Sequence, residues 1–207
     1  MSETVSVLPY GERAVLLQTA SVAESLGVYT SVKELGLDGV EDVVPASRTV
    51  LVTFTQPALL QTALPALRAI EPDEHEHEDA GEATIEVVYD GEDLADVADM
   101  TGMSVDEVIE VHSSTTYTVA FLGFAPGFAY LTGLDERLHM PRRPSPRTKV
   151  PRGSVAMAGP FTAVYPHDSP GGWQLLGRSD APLWDLDRAE PSLLRPGMQV
   201  RFQAVDR

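Results

Sequence analysis

The best candidates for holding a small polar ligand lie in residues 121–134, FLGFAPGFAYLTGL. This stretch has no charged side chain, although the 207-residue chain has a formal net charge of −16. Gly123 and Gly127 permit backbone dihedral angles that a Cβ atom forbids, and Pro126 fixes its own φ. We therefore expect a stiff, irregular loop with exposed backbone amides, which suits a neutral lactam, ureido or peptide group. Four aromatic side chains supply its apolar walls: Phe121, Phe124, Phe128 and Tyr130.

A second glycine-rich turn, SPGGWQ, lies at residues 169–174. Gly171 and Gly172 would let a ligand approach the main chain closely, beside Trp173. Both stretches also fit a purely structural role, as hairpin turns or as a barrel corner whose rings fill the core. The sequence leaves these alternatives open.

A basic cluster follows the first of these turns. No lysine or arginine occurs between Ala69 and Glu136, and then PRRPSPRTKVPRG, residues 141–153, brings five. A guanidinium on a proline-stiffened turn loses little entropy when it binds a carboxylate or phosphate, so Arg142 and Arg147 are candidate anion-binding residues. Arg178 is a further candidate. The alternative is that the cluster only offsets nearby acids on a solvated surface.

His112 is the candidate proton carrier. It lies at the end of a predicted helix, where the helix dipole favours the imidazolium form, although a helix-capping role is also open. No P-loop, dinucleotide-binding glycine motif, nucleophilic serine elbow or metal-ligand cluster accompanies it. His75 and His77, among carboxylates, fit an exposed acidic loop better than a metal site. We therefore expect no metal and no complete catalytic site in this chain alone.

Composition limits the possible partners and location. The absence of cysteine excludes disulfides, thiolate metal sites and a cysteine nucleophile. No apolar run approaches the roughly 20 residues needed to span a bilayer, and the N-terminus lacks the features of a secretion signal. A strongly acidic chain is a poor ligand for nucleic acid. We expect a cytoplasmic protein with neither membrane nor nucleic acid as a partner.

The chain is predicted to form two domains, and all of these candidate residues lie in the second. Residues 1–81 read as a small α+β domain of order β-α-β-β-α, with Ser21 as an N-cap and Pro57 near the first position of the second helix. Residues 82–207 open with a strand and two short helices. A capping box, Ser104 with Glu107, begins the second of these helices. Short β-type runs separated by glycine or proline then favour a β-barrel or sandwich.

Several separated motifs resemble one known family. VHSSTTYTVAFLGFAPGFAYLTGL, PRRPSPRTKVPRGSVAMAG and YPHDSPGGWQLLGRS, with VVYDGEDLADVADMTGMSVDEVIEVH and VEDVVPASRTVLVTF upstream, are similar to KipI-like proteins. This family includes the B-type subunits of 5-oxoprolinase and the first subunits of allophanate hydrolase, with a carboxyltransferase domain. The resemblance covers nearly the whole chain. One departure is Ala129, where the family more often has proline, and it concerns loop rigidity.

The resemblance implies an α+β N-terminal domain and a cyclophilin-like β-barrel. It implies a hydrolase subunit active only in complex, with a companion carboxyltransferase-family subunit (KipA-like, the C-type subunit of 5-oxoprolinase) and a third, lactam-acting subunit. Such complexes use ATP with Mg²⁺ to open 5-oxoproline to glutamate. The alternatives are a urea carboxylase-type carboxyltransferase component, which would require biotin, and a histidine-kinase inhibitor without catalysis. A prolyl isomerase is suggested by fold analogy alone.

Overall fold

The structure is a computed structural model that describes residues 5–71 and 80–206. The chain divides into two compact units, residues 1–78 and 79–207. The sequence predicts this boundary slightly later, after residue 81. His75 and His77 lie outside the described residues.

The first unit is a four-stranded antiparallel sheet with two helices. The sheet order is β1-β2-β4-β3, and alternate residues of β4 (Val50, Val52 and Phe54) are fully buried. The edge strand β1 pairs with β2 and is not predicted by the sequence, because its run is short and ends at Pro9. The elements are β1 (Ser6–Pro9), β2 (Ala14–Gln18), α1 (Val22–Glu34), β3 (Val40–Pro45), β4 (Thr49–Phe54) and α2 (Pro57–Arg68).

The helix starts follow the local sequence. The Ser21 side chain accepts a hydrogen bond from the Glu24 N–H at the start of α1, and Pro57 opens α2. Ser104 and Glu107 form the expected capping box at the start of the helix Val105–Ser114 of the second unit. α2 continues through Pro65 rather than ending there.

The second unit is built on a seven-stranded sheet of order β12-β9-β10-β7-β6-β13-β5. Val88, just after β5, exchanges two 2.9 Å backbone hydrogen bonds with Arg178 of β12, so the sheet nearly closes into a barrel. Of the expected α+β domain followed by a cyclophilin-like barrel, the combination of helices and strands and the nearly closed barrel are confirmed. The elements are β5 (Glu82–Val87), α3 (Leu94–Thr101), α4 (Val105–Ser114), β6 (Thr116–Leu122), β7 (Ala129–Thr132), a 3₁₀ turn (Glu136–Leu138), β8 (Arg147–Val150), β9 (Ser154–Ala158), β10 (Phe161–Val164), β11 (Ser169–Gly171), β12 (Gln174–Arg178) and β13 (Gln199–Ala204).

The two faces of this sheet carry separate apolar clusters. Successive strand residues point to opposite faces, so Val164 packs into the larger cluster while Ala163 and Tyr165 pack into a smaller aromatic one. The larger cluster includes Val97 of α3 and Val108 of α4. The smaller cluster backs the candidate site. No helix among the described residues has the length and apolar character required to cross a bilayer.

Candidate functional site

A cavity of about 220 Å³ lies where the two glycine-rich turns meet. The β6–β7 turn supplies Phe124 and Phe128, and the end of β11 with the turn that follows it supplies Gly171, Gly172 and Trp173. The complete lining is Phe124, Phe128, Tyr130, Arg142, Pro146, Tyr165, Pro170, Gly171, Gly172 and Trp173. The structure thus brings seven of the sequence-predicted site residues to one place.

The β6–β7 turn is held in shape by its own backbone. The Gly123 N–H donates to the Phe128 carbonyl at 3.1 Å, closing the turn. Gly127 has φ +78°, and a Cβ there would lie 3.0 Å from Cβ of Trp184, so this position needs glycine. Phe124 is the one described non-glycine residue with positive φ, at 68°, and its side chain is 60% exposed. The turn therefore holds a strained, solvent-facing ring at the mouth of the cavity.

The cavity wall is a rigid aromatic cluster centred on Phe128. Its ring makes edge contacts with Tyr130, Tyr165 and Trp173 at centroid distances of 5.0, 5.2 and 5.6 Å. Phe121 lies behind the cavity, stacked on Tyr130 at 4.4 Å. The rings thus serve both roles considered from the sequence, since they fill a core on one side and line a cavity on the other.

The second turn allows the backbone to reach the Tyr165 hydroxyl. A Cβ on Gly171 would lie 2.4 Å from that hydroxyl oxygen, so a side chain there would displace the ring. The Gly172 carbonyl accepts a 2.7 Å hydrogen bond from the Arg143 N–H, which ties the turn to the basic loop. The Gly172 N–H donates no hydrogen bond within the described part of the chain and is available to a ligand.

Arg142 is the cation of this cavity. It is exposed, and within residues 5–71 and 80–206 it makes no hydrogen bond or ion pair. Burial raises the pKa of Tyr165 to about 12, and the nearby Arg142 charge acts in the opposite direction. Burial also raises the pKa of Tyr130, again opposed by Arg142. Both phenols are therefore neutral hydrogen-bond donors at pH 7.

The Arg147 side chain is paired with carboxylates of the same chain and does not face the cavity. Its guanidinium donates to Asp93 at 2.8 Å and to Glu92 at 3.2 Å, and Arg143 also pairs with Asp93. Arg147 is not among the residues that line the cavity. The structure thus places Arg147 in a buried ion cluster beside the site, where it fixes the basic loop.

Asp93 is the centre of that cluster and is 1% exposed. Burial alone would raise the pKa of its carboxyl group, but hydrogen bonds from Arg147 and the Leu175 N–H, with the charges of Arg147 and Arg143, lower it overall. The carboxylate is consequently ionised and fully engaged. Sequence reasoning does not find it, since its partners are more than 50 residues away along the chain.

Arg178 lies elsewhere. It pairs with Asp90 at the strand seam that closes the barrel, and it lines a smaller depression with Glu86 and Val205. It does not line the cavity formed by the two turns.

His112 is completely buried in the larger core cluster. Its Nδ1 lies 2.7 Å from the Tyr89 hydroxyl and its Nε2 lies 2.9 Å from the Thr162 hydroxyl. The Thr162 hydroxyl donates to the Ala156 carbonyl at 3.1 Å, so it accepts from Nε2–H while Nδ1 accepts from Tyr89. Burial lowers the pKa of His112 to about 3, so the ring is neutral.

The structure does not bring His112 to the cavity. Its partner Thr162 shares a strand with the cavity side, but Thr162 and Tyr165 point to opposite faces of the sheet. The helix dipole favours the charged imidazolium, but desolvation of the buried ring disfavours it more strongly. His112 therefore holds α4 to the sheet.

Tyr165 is the polar cavity residue that sequence reasoning does not find. It opens the motif YPHDSPGGWQ and so lies four residues before the second turn. Its position next to that turn is the sequence feature that could have identified Tyr165 as a cavity residue. Among the described residues, no group of three or more histidine, aspartate or glutamate side chains is arranged to hold a metal ion.

Comparison with known proteins agrees with the resemblance noted in the sequence. The family model "Carboxyltransferase domain, subdomain C and D" matches residues 5–194. The chain is 42% identical over 203 residues to the 5-oxoprolinase B subunit of Escherichia coli O157:H7, covering 93% of this chain and 92% of that protein. It is 49% identical over 121 residues to the 5-oxoprolinase B subunit of Haemophilus influenzae, covering 57% of each. Urea amidolyase of Saccharomyces cerevisiae is 35% identical over 118 residues, 53% of this chain and 6% of that protein.

Solved structures show the same fold. The crystal structure of TTHA0988 matches with a TM-score of 0.79 and 35% identity, covering 94% of this chain and 40% of that one. Urea amidolyase of K. lactis matches with a TM-score of 0.71 and 22% identity, covering 99% of this chain and 15% of that one. The second likeness concerns the fold alone.

Proposed function

Because the chain belongs to the carboxyltransferase-domain family, subdomains C and D, we propose that it is the B-type subunit of an ATP-dependent 5-oxoprolinase complex. The complex opens the lactam ring of 5-oxoproline to give glutamate. The relationship to proteins that are named as the B subunit of 5-oxoprolinase, one of them matched over 92% of its length, supports this assignment. Within it, the barrel is of the cyclophilin-like class.

The observation that carries the proposal is the cavity between the two turns. Its aromatic walls suit the methylene groups of a five-membered ring, the Gly172 N–H can donate to the lactam carbonyl, and Arg142 can face a negative charge. These groups bind and orient a substrate. None of the described residues at the cavity is a nucleophile with an adjacent base, so the chain alone is inactive.

The remaining chemistry belongs to the partners. The cavity mouth, where Phe124 presents an exposed ring, is covered by a companion carboxyltransferase-family subunit, which excludes water from it. A third subunit acts on the lactam. ATP with Mg²⁺ supplies the activation when it is bound in the complex, and the described residues include no acidic cluster that would hold the metal.

A second candidate follows from the likeness to urea amidolyase. In that case the same cavity would hold the ureido group of a carboxyl carrier or substrate, and biotin would be required. A planar ureido group offers a carbonyl similar to that of a lactam. The unloaded ureido group carries no carboxylate, and only its N-carboxylated form would give Arg142 a negatively charged partner.

The test is reconstitution. The chain is purified with the subunits encoded beside it, and glutamate release from 5-oxoproline is measured with and without ATP. ATP-dependent release that needs this chain supports the proposal. Release that proceeds equally without the chain, or activity that requires a biotin carrier, contradicts it.

A further inference from the structure

We propose that the cavity is a carboxylate-binding site in which the Arg142 guanidinium and the hydroxyls of Tyr165 and Tyr130 hold the carboxylate of a small monocarboxylate ligand. This inference rests on the proposed function for the identity of the ligand. The site itself follows from the geometry of the three side chains.

Tyr165 provides the strongest indication. The residue is 2% exposed, lines the cavity, and its hydroxyl has no hydrogen-bond partner within the described part of the chain. The Tyr165 hydroxyl oxygen is not one of the fully enclosed polar atoms without a partner, so it opens to the cavity, where water or a ligand can satisfy it. The absence of a side chain at Gly171 keeps the hydroxyl free. A ligand atom in the cavity can therefore accept its hydrogen bond.

Tyr130 supplies a second donor of the same kind. Its ring and that of Tyr165 both contact Phe128, at 5.0 and 5.2 Å, so the two phenols flank one side of the cavity. The Tyr130 hydroxyl also lacks a hydrogen-bond partner among the described residues. Two neutral donors on one wall match the two oxygens of a carboxylate.

The charge of the site is that of a single free cation. Among the described residues, Asp93 and Glu92 balance the charges of Arg143 and Arg147, which leaves Arg142 as the unpaired guanidinium at the cavity. One positive charge matches one carboxylate, and the charge-assisted hydrogen bonds that form are the strong kind. A nucleoside triphosphate would bring several negative charges to a site with one cation.

The size of the cavity also suits a small ligand. The cavity of about 220 Å³ is smaller than the roughly 300–1,000 Å³ of pockets that hold drug-sized ligands. A five-membered ring with one carboxylate fits this volume.

The experiment is a binding titration of the full chain alone, followed by NMR or calorimetry. The two ligands are 5-oxoproline and 2-pyrrolidinone, which has the same lactam ring without the carboxylate. We expect at least about tenfold tighter binding of 5-oxoproline, in line with one charge-assisted contact. Arg142→Gln should remove that preference. Tyr165→Phe should reduce it severalfold, with an unchanged circular dichroism spectrum.

Arg152→Gln is the matched control, since Arg152 belongs to the same basic segment but does not line the cavity. It should leave the preference intact. Equal affinity for the two ligands, no binding at millimolar concentrations, or a preference that survives Arg142→Gln would overturn the inference. Because this titration needs no partner and no ATP, it can fail while the reconstituted complex still releases glutamate, and the reverse also holds.

Discussion

The buried carboxylate of Asp93 accepts a 2.8 Å hydrogen bond from the guanidinium of Arg147, which joins the start of α3 to β8. The other carboxylate oxygen accepts a 2.7 Å hydrogen bond from the Leu175 N–H of β12. One side chain thus fixes the basic loop and the strand that follows the second turn. The cavity between the two turns depends on this fixed arrangement.

Replacing Asp93 should therefore be costly. Asp93→Ala leaves the Arg147 and Arg143 guanidinium groups without their buried partner, and breaking a buried pair in this way typically costs about 3–5 kcal/mol. We expect a loss of that order in the free energy of unfolding, measured by urea denaturation. Lys149→Gln is the control, because its pair with Asp168 is largely exposed and is worth about 1 kcal/mol or less. Similar losses for the two variants would contradict the buried-cluster account.

The buried His112 should give stability a dependence on pH. Its pKa is lowered from 6.5 to about 3 in the folded chain, so the unfolded chain binds one more proton between those values. Stability is therefore complete above about pH 6.5 and falls as the pH drops toward 3, by up to about 1.4 kcal/mol per pH unit. The measurement is the urea midpoint between pH 7 and pH 4.5.

The controls for this profile are two histidine variants. His112→Asn should remove most of the dependence above pH 5, although the chain is less stable overall. His167→Gln should leave the dependence unchanged. A wild-type profile that is flat from pH 7 to pH 4.5 would show that His112 is not buried in its neutral form.

The second turn contains a matched pair of glycines. Gly171→Ala should displace the Tyr165 ring, since a Cβ there would lie 2.4 Å from its hydroxyl. At Gly172 the nearest atom would be Cβ of Pro146 at an ordinary 3.5 Å, so Gly172→Ala should be tolerated. We expect at least about fivefold weaker 5-oxoproline binding for the first variant, equivalent to the loss of one hydrogen bond. An affinity of the Gly171→Ala variant equal to that of the wild-type chain would argue against a role for Tyr165.

Local signals in the sequence predict much of the fold. Ser21, Pro57 and the pair Ser104–Glu107 start helices as expected because capping depends on residues within one turn. The β1 strand escapes prediction because pairing across an edge is decided by tertiary contacts, and short apolar runs are ambiguous.

The site is harder to predict for the same reason. The two turns can be identified from their glycines, and the structure brings them together. The roles of Arg142 and Arg147 cannot be separated from sequence, because the difference between them is Asp93, which is distant along the chain. No local feature of the sequence indicates that His112 is buried.

Phe124 combines an exposed ring with a strained backbone. A left-handed conformation costs a residue with a Cβ roughly 1–2 kcal/mol, and the ring is 60% exposed, so folding gains little from it. Phe124→Gly should leave stability unchanged or slightly higher while weakening the affinity for the companion protein about tenfold or more. Met100→Ala, which removes another exposed apolar side chain, should not affect that affinity. A clear loss of stability in Phe124→Gly would show that the ring serves the fold.

The central claim is that the cavity between the two turns holds the substrate of a 5-oxoprolinase complex. The most direct measurement is ATP-dependent glutamate release from 5-oxoproline by the assembled complex, with either wild-type chain or Arg142→Gln. We predict intact assembly by gel filtration and at least about a tenfold lower kcat/KM for the variant, in line with one lost charge-assisted contact. Full activity in the assembled Arg142→Gln complex, or no glutamate release from the wild-type complex, would contradict the account.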